Sequence, residues 1–131
     1  MKKVIILISV IFYINTTHAS NNFNCIVTDA TDVDKNGMLQ NKYVAKNYTG
    51  STFVVDRETG KMIGDISNYN SNAKPVTHNY FPDENGFKAI TTYSPHPAVD
   101  YLFIQEYVEK AKKPFLYLSS STLISGTCVY Y

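Results

Sequence analysis

Two cysteines, Cys25 and Cys128, constrain this chain more than any other feature of its sequence. In an oxidising compartment two cysteines most simply pair with one another. A bridge between them closes a loop of about 100 residues, which contributes roughly 4–5 kcal/mol on the chain-entropy account. It also demands that the two Cα atoms come within about 7 Å. The segments carrying Cys25 and Cys128 are therefore expected to lie side by side, as the first and last strands of one sheet. A redox or nucleophilic role for either thiol is the competing reading. It lacks a Cys-x-x-Cys spacing or a second thiol nearby.

The N-terminus supplies the compartment. Met1-Lys2-Lys3 is basic, Val4 to Ile14 is apolar apart from Ser9, and Asn15-Thr16-Thr17-His18-Ala19 is polar with small residues before a cut. That is the layout of a secretory signal, and cleavage is expected between Ala19 and Ser20. Eleven residues in a helix rise only about 16 Å, too short for a span, so no stable membrane anchor is expected after cleavage. Lipid attachment does not fit, because Cys25 lies six residues past Ala19. The expected location is periplasmic or secreted. Asn47-Tyr48-Thr49 matches the N-glycosylation pattern, which matters only in a eukaryotic secretory pathway.

Residues 20–131 form one expected domain, long enough for a real core. The whole chain has 12 basic and 11 acidic residues; losing Lys2 and Lys3 leaves 10 against 11. A near-neutral surface argues against a nucleic-acid partner, which requires a clustered basic footprint. Lys110, Lys112 and Lys113 form the one basic cluster, and a solvated turn accounts for it.

The patterning predicts an all-β chain, a small antiparallel barrel or sandwich. Cys25 to Asp29 reads as the first strand, followed by a turn-rich stretch to Asn41. Lys42 to Asn47 is a further strand candidate. Thr52 to Asp56 and Lys61 to Ile66 read as the arms of a hairpin turned by Arg57-Glu58-Thr59-Gly60, with Gly60 supplying a positive φ. Val76 to Phe81 is another strand candidate, and Pro82 to Gly86 a turn. Phe87, Ala89 and Thr91 alternate with Lys88, Ile90 and Thr92, which marks a strand to Tyr93. Residues 101–112 fit two periods. Tyr101, Ile104, Val108 and Ala111 share a helical face, Glu106–Lys110 and Glu109–Lys113 fit i,i+4 pairs, and Asp100 suits a helix cap. The alternating aromatics favour a strand from Tyr101 to Val108. Phe115 to Leu118 and Leu123 to Tyr130 close the sheet around a Ser119–Ser121 turn, with Gly126 as a bulge or close approach.

Candidate sites are few. Asp32-x-Asp34-x-Asn36-Gly37 matches the opening half of a calcium loop, with oxygen ligands at alternate positions and a glycine at the sharp turn. Position twelve is Tyr43 rather than a bidentate glutamate, and an ordinary Asp/Asn/Gly turn outweighs the metal reading. His18 leaves with the signal. His78 and His96 stand singly, without zinc-ligand spacing. A Ser-His-Asp triad is a spatial arrangement, but no Gly-x-Ser-x-Gly turn marks a nucleophile. Asp56 and Asp65 sit on the two hairpin arms. A carboxylate pair for acid–base work competes there with a surface Asp–Arg pair through Arg57. No glycine-rich phosphate loop is present, and no cofactor or catalytic residue is expected. Tyr93, Tyr101, Tyr107 and Tyr117 are the binding candidates, because tyrosine joins apolar area to a polar tip.

The run Phe53-Val54-Val55-Asp56-Arg57-Glu58-Thr59-Gly60-Lys61-Met62-Ile63-Gly64, the Lys113-Pro114-Phe115 strand start and the closing Gly126-Thr127-Cys128 together resemble a group of small exported bacterial proteins without an established function. The resemblance covers most of the chain after the signal. It implies a shared fold and export, and it transfers no catalytic residue. In size the chain is also similar to small periplasmic barrels that inhibit lysozymes, a likeness of fold alone. The function expected is a non-enzymatic binding domain for a protein partner, of inhibitor, immunity or adaptor type. A small-molecule carrier with an apolar barrel cavity and a small hydrolase are the alternatives. Inward positions filled by Phe and Tyr would count against the carrier.

Overall fold

The computed structural model describes residues 22–40, 43–79 and 86–131. The signal segment, Lys42, the Pro82–Asn85 turn and the end of the Val76–Phe81 candidate fall outside the described residues. The chain forms β1 (Phe23–Val33), β2 (Leu39–Gln40), α1 (Val44–Tyr48), β3 (Thr52–Val55), β4 (Met62–Gly64), β5 (Ala73–Asn79), β6 (Phe87–Tyr93), β7 (Val99–Ile104), β8 (Lys113–Ser119) and β9 (Thr122–Tyr130). The strands make one antiparallel sheet in the order β4-β3-β1-β9-β8-β7-β6-β5, with β2 beside β1. It curls into a half-barrel. Five consecutive strands, β5 to β9, form a meander in which each neighbour follows by a short connection. β1 then docks on β9, the last strand.

That docking is the arrangement the cysteines require. Cys25 pairs directly with Cys128 in the β1–β9 register, their Cα atoms are 4.0 Å apart, and the two sulfurs are bonded. Gly126 explains how the strands come so close. A Cβ there would lie 2.0 Å from the Ile26 carbonyl oxygen and 2.7 Å from the Phe115 ring. The ladder shifts register between Val27 and Asp29, immediately opposite Gly126 and Ser125. The close approach is at Gly126 itself, and the bulge is on its partner strand.

The inner face follows the period of two. Phe23, Cys25 and Val27 of β1, Phe53 and Val55 of β3, Phe87 and Ala89 of β6, Leu102 and Ile104 of β7, Phe115 and Tyr117 of β8 and Ile124 and Cys128 of β9 are all buried. Phe53 meets Phe115 edge-on at 5.3 Å between ring centroids. Aromatic rings therefore fill the barrel rather than line a void.

The open seam between β4 and β5 is closed by side chains. The Asn68 amide accepts the Met62 N–H at 2.6 Å and donates to the Gly60 carbonyl at 3.0 Å and the Thr91 hydroxyl at 2.7 Å. Thr77 donates its hydroxyl to the Glu58 carbonyl at 3.2 Å. Gly60, at φ 74°, brings the hairpin turn against Ala89, Thr77 and Pro75.

Three local expectations are corrected. The described part of the Lys42–Asn47 strand candidate is not a strand: Val44–Tyr48 is a one-turn helix, because Val44 and Tyr48, four apart, both pack on the core. No helix occupies residues 101–112; β7 begins at Val99 and stops at Ile104, and turns follow. The strand ends early because Glu106, on the inward register, is drawn into a buried ion pair with Arg57. Arg57 turns its guanidinium inward to Glu106, whereas the sequence pattern suggests a surface pair at the hairpin. Asp56 caps the turn by accepting the Thr59 N–H and hydroxyl at 2.7 Å each, which holds its carboxyl below the usual range despite partial desolvation.

Candidate functional site

One end of the half-barrel is capped by a polar row on the inner face. Thr91 of β6 pairs with Asp100 of β7, Asp100 pairs with Ser119 of β8, and Leu102 pairs with Tyr117. The strand period places Tyr93, Asp100, Tyr117 and Ile124 on the same concave side; Tyr117 and Ile124 share a row with Leu102 and Ala89, and Asp100 lies in the next row with Thr91. Above this row opens a cleft of about 380 Å³. Tyr48 of α1, the Asp65–Ser67 segment after β4, Ala98 at the approach to β7, and Ser119 and Ser120 of the β8–β9 turn complete its walls. Ser120 turns the hairpin at φ 53°.

Asp100 is the centre of this row. The residue is 6 % exposed, and a buried carboxylate costs several kcal/mol unless it is bonded (~2–7 for a polar group, far more for a bare charge). Two phenols meet that demand: Tyr93 and Tyr117 both donate to Asp100 Oδ2, at 2.5 and 2.7 Å. Burial first, and the neighbouring Asp100 second, push both hydroxyls above their ordinary value of 10.0. Both therefore remain protonated donors, and the Asp100 carboxylate sits inside a tyrosine rim. At the near wall, Asp65 Oδ2 accepts the Thr52 N–H at 2.8 Å.

Of the four tyrosines singled out by the sequence, Tyr93 and Tyr117 come together here. Tyr101, opposite Ile90 and Leu118, falls on the other face of the sheet. Tyr107 lies in the turns beyond β7, 58 % exposed, beside Phe103. The sequence pattern singles out neither Asp100 nor Tyr48 as a site residue, and Asp65 only as a partner for Asp56. The alternation Asp100, Leu102, Ile104 carried the signal for Asp100, masked by its fit as a helix cap.

The calcium-like residues fold into the β1–β2 turn. Asp34 Oδ1 accepts the N–H groups of Asn36 and Met38 at 2.8 and 2.9 Å, and Asp32 Oδ1 accepts the Val33 N–H at 2.9 Å. Gly37 takes φ 79°. The Asp34–Asn36 bond is that of an Asx turn. Among the described residues, no group of three or more His, Cys, Asp or Glu is arranged to hold a metal. Asp56 and Asp65 do not work as a pair: Asp56 serves the hairpin turn, and Asp65 serves Thr52. His78 and His96 are exposed, and neither lines the cleft.

A second polar cluster occupies the interior beyond the other end of β7. Arg57 pairs with Glu106, and Tyr130 donates to Glu106 Oε2 at 2.7 Å. The Arg57 guanidinium lies 4.9 Å from the Phe23 ring centroid and 5.8 Å from that of Phe87.

No protein-family model, no curated protein and no solved structure matches this chain.

Proposed function

We propose that the chain is an exported, non-enzymatic binding domain that receives a protein partner at the cleft above Asp100. The observation that carries this reading is the pairing of a filled barrel with an open, tyrosine-rimmed mouth. Tyrosine supplies large contact area at low entropic cost and is enriched where proteins meet. A carrier for small apolar molecules needs interior volume, and here Phe23, Phe53, Phe87 and Phe115 occupy it. A hydrolase built on His78 or His96 needs that histidine beside a serine or carboxylate in the cleft, and both lie outside it.

Export is supported by the disulfide, which suits an oxidising compartment. Among the described residues no helix is long and apolar enough to cross a membrane. Both features are compatible with a periplasmic or extracellular location.

Site-directed photocrosslinking tests the proposal. Benzoylphenylalanine at Ala98, on the cleft rim, is expected to yield a discrete protein adduct in producing cells, whereas the same probe at exposed Glu109 gives none. The captured protein, once purified, is expected to bind the wild-type chain saturably and to lose that binding on Ala98→Arg. Equal adducts at both positions, or binding indifferent to Ala98→Arg, would overturn it.

A further inference from the structure

We infer that the cleft takes a cationic group, an ammonium or guanidinium presented by the partner, against the Asp100 carboxylate; this deepens the proposed function and rests on it. The described residues lining the cleft include two carboxylates, Asp65 and Asp100, and no lysine, arginine or histidine. Tyr93 and Tyr117 hydrogen-bond Asp100 but bring no charge. A buried carboxylate held only by neutral donors remains a strong attractor for a cation, because the low local dielectric strengthens the pairing. An anionic guest is repelled, and a neutral apolar one leaves the carboxylate desolvated.

The molecule contains its own precedent for such a site. Glu106, beyond the other end of β7, is buried like Asp100 and accepts a tyrosine hydroxyl as Asp100 does. There the countercharge is Arg57, set over the rings of Phe23 and Phe87. The Asp100 cleft repeats the carboxylate, the tyrosine donors and an aromatic border, here Tyr48, Tyr93 and Tyr117. An external ammonium or guanidinium would complete it as Arg57 completes the first, with added attraction to the tyrosine rings. A divalent metal fits less well. The described residues assemble no three-ligand group, and the phenol protons are directed at the carboxylate.

Titrating the purified, oxidised protein with butylammonium and butylguanidinium, followed by NMR, tests the inference. Both cations are expected to bind saturably in the millimolar range and to shift signals of Tyr93, Asp100 and Tyr117. Butanol and butyrate are expected not to saturate. Asp100→Asn should weaken cation binding by about tenfold or more. Ala98→Arg, at an exposed rim position that leaves the core intact, should weaken it similarly by supplying a competing guanidinium. The inference fails if neither cation saturates, if butanol binds as tightly, or if calcium chloride binds the same residues more tightly than either organic cation. Cation binding without rim-specific protein adducts would overturn the protein-partner reading and keep the cleft chemistry. Rim-specific adducts without cation binding would do the reverse.

Discussion

Arg57 and Glu106, 49 residues apart in sequence, form an ion pair inside the barrel, and among the described residues Glu106 Oε1 finds no hydrogen-bond donor. Burying two charges is costly, and removing one partner leaves the other stranded. Glu106→Leu is therefore expected to destabilise the fold by about 3–5 kcal/mol. The double variant Arg57→Met/Glu106→Leu should recover part of that loss, because it removes both charges and leaves apolar groups among Phe23 and Phe87. Urea denaturation of the wild type and the variants measures both quantities. A double variant less stable than Glu106→Leu alone would show that Arg57 contributes chiefly through its other contacts.

The disulfide and the β1–β9 ladder hold the same two strands. The ladder runs from Phe23–Tyr130 to Asp32–Thr122 and does not depend on the covalent bond. Cys25→Ala/Cys128→Ala is thus expected to keep the fold but lose stability. With the two cysteines 103 positions apart in sequence, the loss should approach about 4–5 kcal/mol. Reductant added to the wild type should give a similar drop in its urea midpoint and leave the double variant unchanged.

The parts of the fold legible in the sequence are those set by local pattern or by one covalent constraint. The alternation over Phe87–Tyr93 gave that strand its bounds and its inward face, and the cysteine pair placed β1 beside β9. The burial of Arg57 is not legible locally, because a turn residue next to Asp56 normally faces water and Glu106, its partner, is distant in sequence. The helix at Val44–Tyr48 is too short for propensity to specify, and it forms where two apolar side chains reach the core. Asp100 illustrates the same limit. Its inward register was readable once β7 begins at Val99, but its convergence with Tyr93 and Tyr117 needs three strands aligned.

Gly126 carries a test of how tightly β1 and β9 are joined. A methyl group there would collide with the Ile26 carbonyl oxygen, backbone that cannot turn aside. Gly126→Ala is expected to destabilise by a few kcal/mol, in the range of overpacked cores (about 1–3 or more). Gly37→Ala is the comparison: nothing lies within 4 Å of its Cβ, and only its φ of +79° opposes the change, a cost of about 1–2 kcal/mol. Thermal unfolding of the two variants should place Gly126→Ala lower. The opposite order would mean that β1 can yield at its bulge.

The phenols around Asp100 make stability depend on alkaline pH. Tyr93 and Tyr117 in the folded protein hold their protons above the ordinary value of 10.0, through burial first and Asp100 second; Tyr130 does so through burial and Glu106. As pH rises through about 10 the unfolded chain loses those protons while the folded chain keeps them. The folded state then binds more protons than the unfolded one, so stability falls with rising pH. Below that range the contribution is fully present. The wild type is therefore expected to lose stability steeply above about pH 10, and tyrosinate absorbance should show these groups ionising only as the fold is lost. Tyr117→Phe removes one such group and flattens the alkaline slope. It also starts from lower stability at neutral pH, since Asp100 loses a donor and a hydrogen bond to a charged group is worth about 1.5–3 kcal/mol. Parallel alkaline slopes for wild type and Tyr117→Phe would show that the Tyr117 hydroxyl is not held protonated by the fold.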